Sequence, residues 1–170
     1  MAKKKESYII STLVEHKPGV LYQVSNMFRR RGFNIETITV GESEQRGLAR
    51  MTITINGDEK TVEQVVKQLN KLIDVVKVSI LDPETTVTRE LALIRINTPN
   101  AAVRSDVINY TEIFKGRVVD VAHDSLLVEM TGDSDKITAF IELMKTFGVK
   151  EIARTGITAL PRGMRSTKLE

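Results

Sequence analysis

The chain has 170 residues, of which 41% are hydrophobic and 28% charged, so a globular protein of one or two domains is expected. It contains no cysteine, which excludes disulfide frameworks, thiolate metal sites and cysteine nucleophiles and is typical of a reducing compartment such as the cytoplasm. No apolar run approaches the roughly 20 residues that span a bilayer, and a net charge of +3 is too small to predict nucleic acid as a partner. We therefore interpret the basic segment 1–7 as a solubilising tail.

Residues 8–82 alternate β-rich segments with segments that carry apolar residues at helical spacing. The predicted strands are Tyr8–Val14, Ile35–Val40, 51–55 and 76–80. The predicted helices cover 20–28 and 62–72. Gly32 should end the first helix as a left-handed cap, and Asp58 should cap the start of the second. The order is β-α-β-β-α-β, the split β-α-β arrangement.

The same order starts again after a predicted linker at 83–89 and fills residues 90–163. The predicted strands are Leu91–Ile96, Val118–Val121, Leu126–Met130 and Val149–Leu160, and the predicted helical stripes are 103–114 and 137–147. Gly116 should end the first of these helices, and His123-Asp124 should form a tight hairpin. The fold class is therefore α+β, with two tandem ferredoxin-like units and a second tail at 164–170. The helices should cover one face of each sheet, and we expect the other faces to be buried against each other, within or between chains.

The chain offers few residues for catalysis. Its two histidines, His16 and His123, fall in a loop and a turn, and no HExxH, GxSxG or Walker-type motif occurs. The acids Asp58 and Asp133 precede predicted helices, where negative charge stabilises the helix start. The sequence therefore predicts neither an active site nor a metal site.

The loop from Glu15 to Leu21 joins the first strand to the first helix and is the most informative motif. Pro18 suits a first helical turn, because its missing N–H would have no partner there. The N–H groups of Gly19, Val20 and Leu21 then lack an acceptor four residues back, so a small carboxylate could bind them at the positive end of the helix. The alternative is an ordinary helix start with water on these groups.

Asn34 follows the other end of this helix and offers both an acceptor and a donor, so it could hold an ammonium or a carboxylate group. A helix about 20 Å long separates it from Gly19 within one chain. Two copies that pair their first helices head to tail could bring the two residues together around a free aliphatic amino acid. The alternative for Asn34 is a turn residue without a ligand.

Several stretches resemble a known family. The first unit is similar to an ACT domain, a module associated with amino-acid sensing, through LVEHKPGVLYQVSNMFRRRGFNIETITVG at Leu13–Gly41 and LARMTITINGDE at Leu48–Glu59. The whole chain resembles the regulatory small subunits of acetohydroxyacid synthase, also called acetolactate synthase. The more specific stretches are EIFKGRVVDV at 112–121 and EIARTGITALPRG at 151–163.

The resemblance implies a non-catalytic subunit whose partner is a large catalytic subunit that carries thiamine diphosphate, Mg²⁺ and FAD. The small subunit activates that enzyme and confers feedback inhibition, usually by valine, which binds between the ACT domains of a homodimer. Carried over by position, the effector-binding residues are His16, Gly19, Val20, Leu21, Asn34 and Ile35. His16 departs from the family, where many relatives have Asn. The second unit has Thr98-Pro99-Asn100-Ala101 in place of the Pro-Gly helix entry, so one type of effector site, in the first unit, is implied.

Two other classes of protein have the same order of helices and strands. An RNA-binding module would stack bases on aromatic side chains of a central strand, but the strand over 50–55 has none. Another amino-acid-sensing ACT regulator is the alternative that stays open. A transcription regulator of this kind would need a helix-turn-helix segment, and none is left once both units are counted.

Overall fold

The computed structural model describes residues 6–163 and Thr167 and confirms the repeated β-α-β-β-α-β order. The tails predicted at 1–7 and 164–170 lie mostly outside the described residues. The first repeat consists of β1 (Glu6–Glu15), α1 (Val20–Arg31), β2 (Thr37–Glu42), β3 (Leu48–Gly57), α2 (Glu59–Leu69) and β4 (Val75–Leu81). The second consists of β5 (Thr86–Asn97), α3 (Ala101–Ile113), β6 (Arg117–Val121), β7 (Ser125–Gly132), α4 (Ser134–Lys145) and β8 (Val149–Arg154), and a short strand β9 (Thr158–Pro161) follows.

Both sheets have the strand order of a ferredoxin-like fold. The first is ordered β2-β3-β1-β4 and the second β6-β7-β5-β8, and β9 pairs with β5 off this path. In the first sheet β1 and β3 are the central strands, because each β-α-β crossover skips one position. Edge strand β2 comes directly after α1 and the Asn34 turn, so Asn34 and Ile35 lead into an edge of the sheet, whereas His16 and Gly19 follow central strand β1.

The core of the first unit lies between α1, α2 and one face of the sheet. Ile10 of β1 is opposite Ile53 of β3, and both are completely buried. The helices supply the other half of the core from positions spaced three or four residues apart, as the periodicity predicted. The buried helical residues are Val20, Val24, Met27, Phe28, Val62, Val65 and Leu69.

The second unit repeats this arrangement with its own core. Its strands contribute Ala92, Ile94, Ile96, Leu126, Val128 and Met130, and its helices contribute Val107, Ile137, Phe140, Ile141 and Met144. The two cores are separate clusters. Each unit therefore has the hydrophobic core that an independent domain needs.

The compact units divide the chain differently from the predicted domain ends. One unit comprises the residues up to Val87 together with those from Ile157 onward, and the other comprises Thr88–Gly156. The predicted C-terminal domain at 90–163 differs because Ile157 and Ala159 pack against Ile9 and Leu81 of the first unit. The chain thus returns to its first unit after completing the second.

This returning segment packs on part of the sheet face that the helices leave open in the first unit. Thr39 Oγ1 donates to the Ile157 carbonyl at 2.9 Å, and Arg162 N donates to the Thr85 carbonyl at 2.7 Å. On the same face Ser11, Thr52 and Thr54 are buried despite their hydroxyl groups. Burial of the open sheet faces against each other, within or between chains, stays a prediction; a segment of the same chain already packs on part of this face.

Three further details differ from the prediction. The linker at 83–89 is a 3-10 turn over Pro83–Thr85 followed by the start of β5. The last predicted strand, Val149–Leu160, is instead two strands, β8 and β9, because residues 155–157 between them have no regular structure. Helix α3 ends at Ile113, a little before Gly116, and Lys115 between them takes the left-handed conformation.

No helix in the described part of the chain is long and apolar enough to cross a membrane.

Candidate functional site

The start of α1 is built around Gly19. This residue is the N-cap, with φ +91° in the left-handed region that favours glycine, and Gln23 N makes the first full helical bond to its carbonyl at 3.0 Å. Pro18 therefore lies before the helix and not in its first turn, because the left-handed turn at Gly19 delays the helix to Val20. Val20 N reaches the Lys17 carbonyl only at 3.5 Å, a long bond that occupies this donor weakly.

In the described part of the chain, α1 has no side-chain cap at its start, whereas α2, α3 and α4 each have one. Asp58, Asn100 and Asp133 each accept a hydrogen bond from the N–H three residues further on, at 2.8 to 3.0 Å. Gly19 has no side chain that could do so, and α1 has no side-chain cap bond. The first turn of α1 also contains no acidic residue. Its N–H groups and the positive end of its dipole are therefore open to an external anion.

The side chains at this helix start are apolar or aromatic, both in the core and on the protein surface. Val20 is buried in the core, whereas Leu21 is 48% exposed and the next residue, Tyr22, is 70% exposed. A molecule that bound the open N–H groups would therefore meet an exposed aliphatic and an aromatic side chain.

His16 contributes mainly through its backbone. Its N–H donates to the Gly47 carbonyl at 2.8 Å, which ties the loop to the β2–β3 turn. Its imidazole is half exposed, and Nδ1 lies 3.8 Å from Glu42 Oε1. Glu42 is a neighbour that the sequence pattern did not suggest, because it is distant along the chain and lies in a polar turn-like stretch.

Asn34 and Ile35 lie beyond the other end of α1. Gly32 ends the helix with φ +69°, as predicted, and its N–H and that of Phe33 bond back to α1. Asn34 is exposed and donates from Nδ2 to Glu36 Oε1 at 2.8 Å, while Ile35 packs against the core. Since α1 has 12 residues and is about 18 Å long, one chain does not bring Asn34 to Gly19.

Two charged residues beside the helix start were missed by sequence reasoning. Lys17 Nζ lies 2.6 Å from both Glu15 Oε2 and Asp74 Oδ1. Hydrogen bonds to Asp74 and then to Glu15 raise the pKa of Lys17 to about 12, so it stays charged at neutral pH. The available signal was an aspartate inside the apolar run from Ile73 to Val76.

No group of three or more histidine, aspartate or glutamate side chains within residues 6–163 could hold a metal ion. In the first unit, the sheet face on which an RNA-binding module stacks bases is also closed. Thr52 and Thr54 of β3 are 2% and 3% exposed there.

The fold and the open helix start together define a class: tandem ferredoxin-like proteins with an ACT-type first domain. Sequence profiles agree with this class. The profile for an AHAS small subunit-like ACT domain matches residues 10–77, and the profile for the small subunit of acetolactate synthase matches residues 89–163. The chain belongs to the acetolactate synthase small-subunit family.

Individual relatives support this family across nearly the whole chain. A probable acetolactate synthase small subunit from Methanothermobacter thermautotrophicus is 60% identical over 161 residues, which cover 95% of this chain and 96% of the relative. The acetolactate synthase small subunit of Aquifex aeolicus is 50% identical, with 92% and 82% covered. The crystal structure of the small subunit from Thermotoga maritima has a TM-score of 0.87 at 46% identity and covers 93% of this chain and 98% of that one.

Proposed function

We propose that this chain activates the large catalytic subunit of acetolactate synthase and makes it sensitive to feedback inhibition by a branched-chain amino acid, valine in the first instance. Membership of the small-subunit family supports the partnership, since a small subunit implies a large one. The thiamine diphosphate, Mg²⁺ and FAD of the reaction belong to that partner. The observation that carries the effector site is the uncapped start of α1.

The effector's carboxylate binds the N–H groups at this helix start. Gly19 leaves them unshielded, and their contribution needs no particular side chain at position 16. The departure at His16 is therefore compatible with the site. The aliphatic side chain of valine packs beside Leu21, whose exposed surface it covers.

A second copy of the chain completes the site. Asn34 is at the far end of α1, so two antiparallel α1 helices related by a two-fold axis place Asn34 of one copy near Gly19 of the other. Its side-chain oxygen then accepts from the valine ammonium group, and Ile35 adds an apolar wall. Edge strand β2 and the exposed side chains of Leu21, Tyr22 and Val40 offer the surface for this homodimer.

Inhibition follows if valine binds more tightly to one of two states of the dimer. An effector shifts such an equilibrium only by its difference in affinity, and couplings of about 1–3 kcal/mol correspond to 5- to 150-fold changes. Valine that bridges two copies stabilises the paired ACT domains. The dimer in this state supports less catalysis by the large subunit.

The test is reconstitution with an acetolactate synthase large subunit. The chain should co-purify with it and raise the rate of acetolactate formation, and valine should lower that rate more than leucine or isoleucine does. A large subunit that neither binds nor responds to the chain contradicts the regulatory role. Activation without any response to the three amino acids contradicts the effector site alone.

A further inference from the structure

One acidic side chain, Asp74, is almost completely buried beside the loop that leads into α1. It lies in the turn between α2 and β4, and 4% of its side chain is exposed. A buried carboxylate loses its hydration, so it needs an opposite charge and hydrogen bonds to replace water. Lys17 supplies both, with Nζ 2.6 Å from Asp74 Oδ1.

Asp74 holds the loop on both sides of His16. Its carbonyl accepts a hydrogen bond from Glu15 N at 2.9 Å, and its carboxylate pairs with Lys17. The regular pairing of β1 with β4 ends at Val14 and Val75, after a register shift between Leu13 and Val14. Beyond this point, the contacts of Asp74 with Glu15 and Lys17 hold the loop against the start of edge strand β4.

The loop has a second anchor on its other side. His16 N donates to the Gly47 carbonyl at 2.8 Å, so the backbone of residues 15–17 is held from the β4 side and from the β2–β3 turn. Only Pro18 separates Lys17 from Gly19. The direction in which the chain enters the left-handed Gly19 is therefore set by a loop with little freedom, because proline also restricts the backbone of Lys17.

We propose that Asp74, acting through Lys17, is a positioning residue for the effector site. It holds residues 15–17 so that the N–H groups after Gly19 face the effector before the effector binds. A site that is ordered in advance loses less conformational entropy on binding and so binds more tightly. This inference rests on the proposed effector site, and it adds a residue outside the set that contacts the amino acid.

The test compares variants of the full chain by calorimetric titration with valine and by hydrogen exchange of the backbone over 16–22. Asp74→Asn keeps the shape but removes the charge, so valine affinity should fall about tenfold and exchange should become faster. Lys17→Arg keeps the positive charge but changes its geometry, so its loss of valine affinity should be smaller than that of Asp74→Asn. Glu63→Gln is the matched control, because Glu63 forms an equally short pair with Lys67, at 2.6 Å, on the exposed face of α2. It should change neither measurement.

The outcomes separate this inference from the proposed function. If the parent binds valine and Asp74→Asn binds it equally well, Asp74 is not a positioning residue. If the parent does not bind valine, the effector site is wrong. Hydrogen exchange over 16–22 tests the positioning role independently: exchange that is unchanged in Asp74→Asn overturns it. Should Asp74→Asn fail to fold, Lys17→Gln makes the same comparison from the half-exposed partner and should show the same tenfold loss.

Discussion

The two units share one order of helices and strands but differ at the start of their first helix. In the second unit Asn100 has an extended backbone, and its side chain accepts from Val103 N at 3.0 Å. In the first unit the equivalent position is Gly19, which is left-handed and has no side chain to accept. One helix therefore satisfies its own N–H groups and the other depends on an external acceptor. Under the proposed function, this single difference at the helix start distinguishes the unit that binds the effector from the unit that does not.

The units also differ on the sheet face that their helices leave open. In the first unit this face is buried, and Ile157 and Ala159 of the returning segment pack on it. In the second unit the equivalent face is partly exposed and carries charges, with Arg95 3.8 Å from Asp120 and 3.6 Å from Glu151. The first unit thus has two buried faces on its sheet, whereas the second keeps one face that water reaches.

The largest effect is expected from Gly19→Asp, which makes the first unit resemble the second. A fixed carboxylate would compete with the effector for the N–H groups and repel it, so valine affinity should fall about 100-fold while activation of the large subunit persists. Gly163→Asp is the control, because Gly163 also has a positive φ and open surroundings but lies away from α1 in sequence. Calorimetry that shows unchanged valine binding in Gly19→Asp would exclude this pocket.

An effect of comparable size, on stability and not on binding, is expected from Ala159→Asp, which tests the cover of the first sheet. Ala159 is buried against Ile9 and Leu81, so an unpaired carboxylate there should lower the free energy of unfolding by about 3 kcal/mol. Leu160 is exposed, and Leu160→Asp should stay within about 0.5 kcal/mol of the parent. Urea unfolding measures both. Equal stability of the two variants would show that the segment does not hold the first unit together.

Asn100→Ala tests the cap that the first unit lacks. It removes the acceptor for Val103 N and should destabilise the second unit by about 1 kcal/mol in thermal or urea unfolding. Asn109→Ala, on the exposed side of the same helix, should be neutral or slightly stabilising because alanine favours helices. If both variants lose the same stability, the cap has no special role.

The smallest effect concerns two ion pairs that titrate at opposite ends of the pH scale. Lys150 lowers the pKa of Asp124, so this pair stabilises the second unit above the ordinary pKa of aspartate and is lost as the pH falls through the lowered value. The raised pKa of Lys17, about 12, stabilises the first unit below 10.5, and that contribution is lost as the pH rises through 12. Asp124→Asn should therefore cost a little stability at pH 7, and this cost should disappear as the pH falls through the lowered pKa of Asp124. A difference that persists in acid would exclude the ion pair as its cause.

Local patterns in the sequence were enough to predict the helices, most of the strands and their order. The helical stripes and the glycine at the end of α1 depend on residues close together in the chain, and these predictions were confirmed. The break between β8 and β9 was missed because it depends on where distant strands lie. The same is true of Asp74, whose burial depends on Lys17, far earlier in the sequence. Gly19 could be identified in the sequence as part of the helix entry. That α1 alone lacks a side-chain cap among the described α-helices became clear only from the structure.

The return of the chain to its first unit makes the second unit an insertion. Residues 88–156 enter and leave between two parts of one compact body, so the polypeptide passes between the units twice. Proteins that host insertions can often lose them when the two cut ends are rejoined by a flexible linker. A shortened chain that joins position 87 to position 157 should therefore keep the first unit whole, whereas a chain that simply stops at position 87 should not.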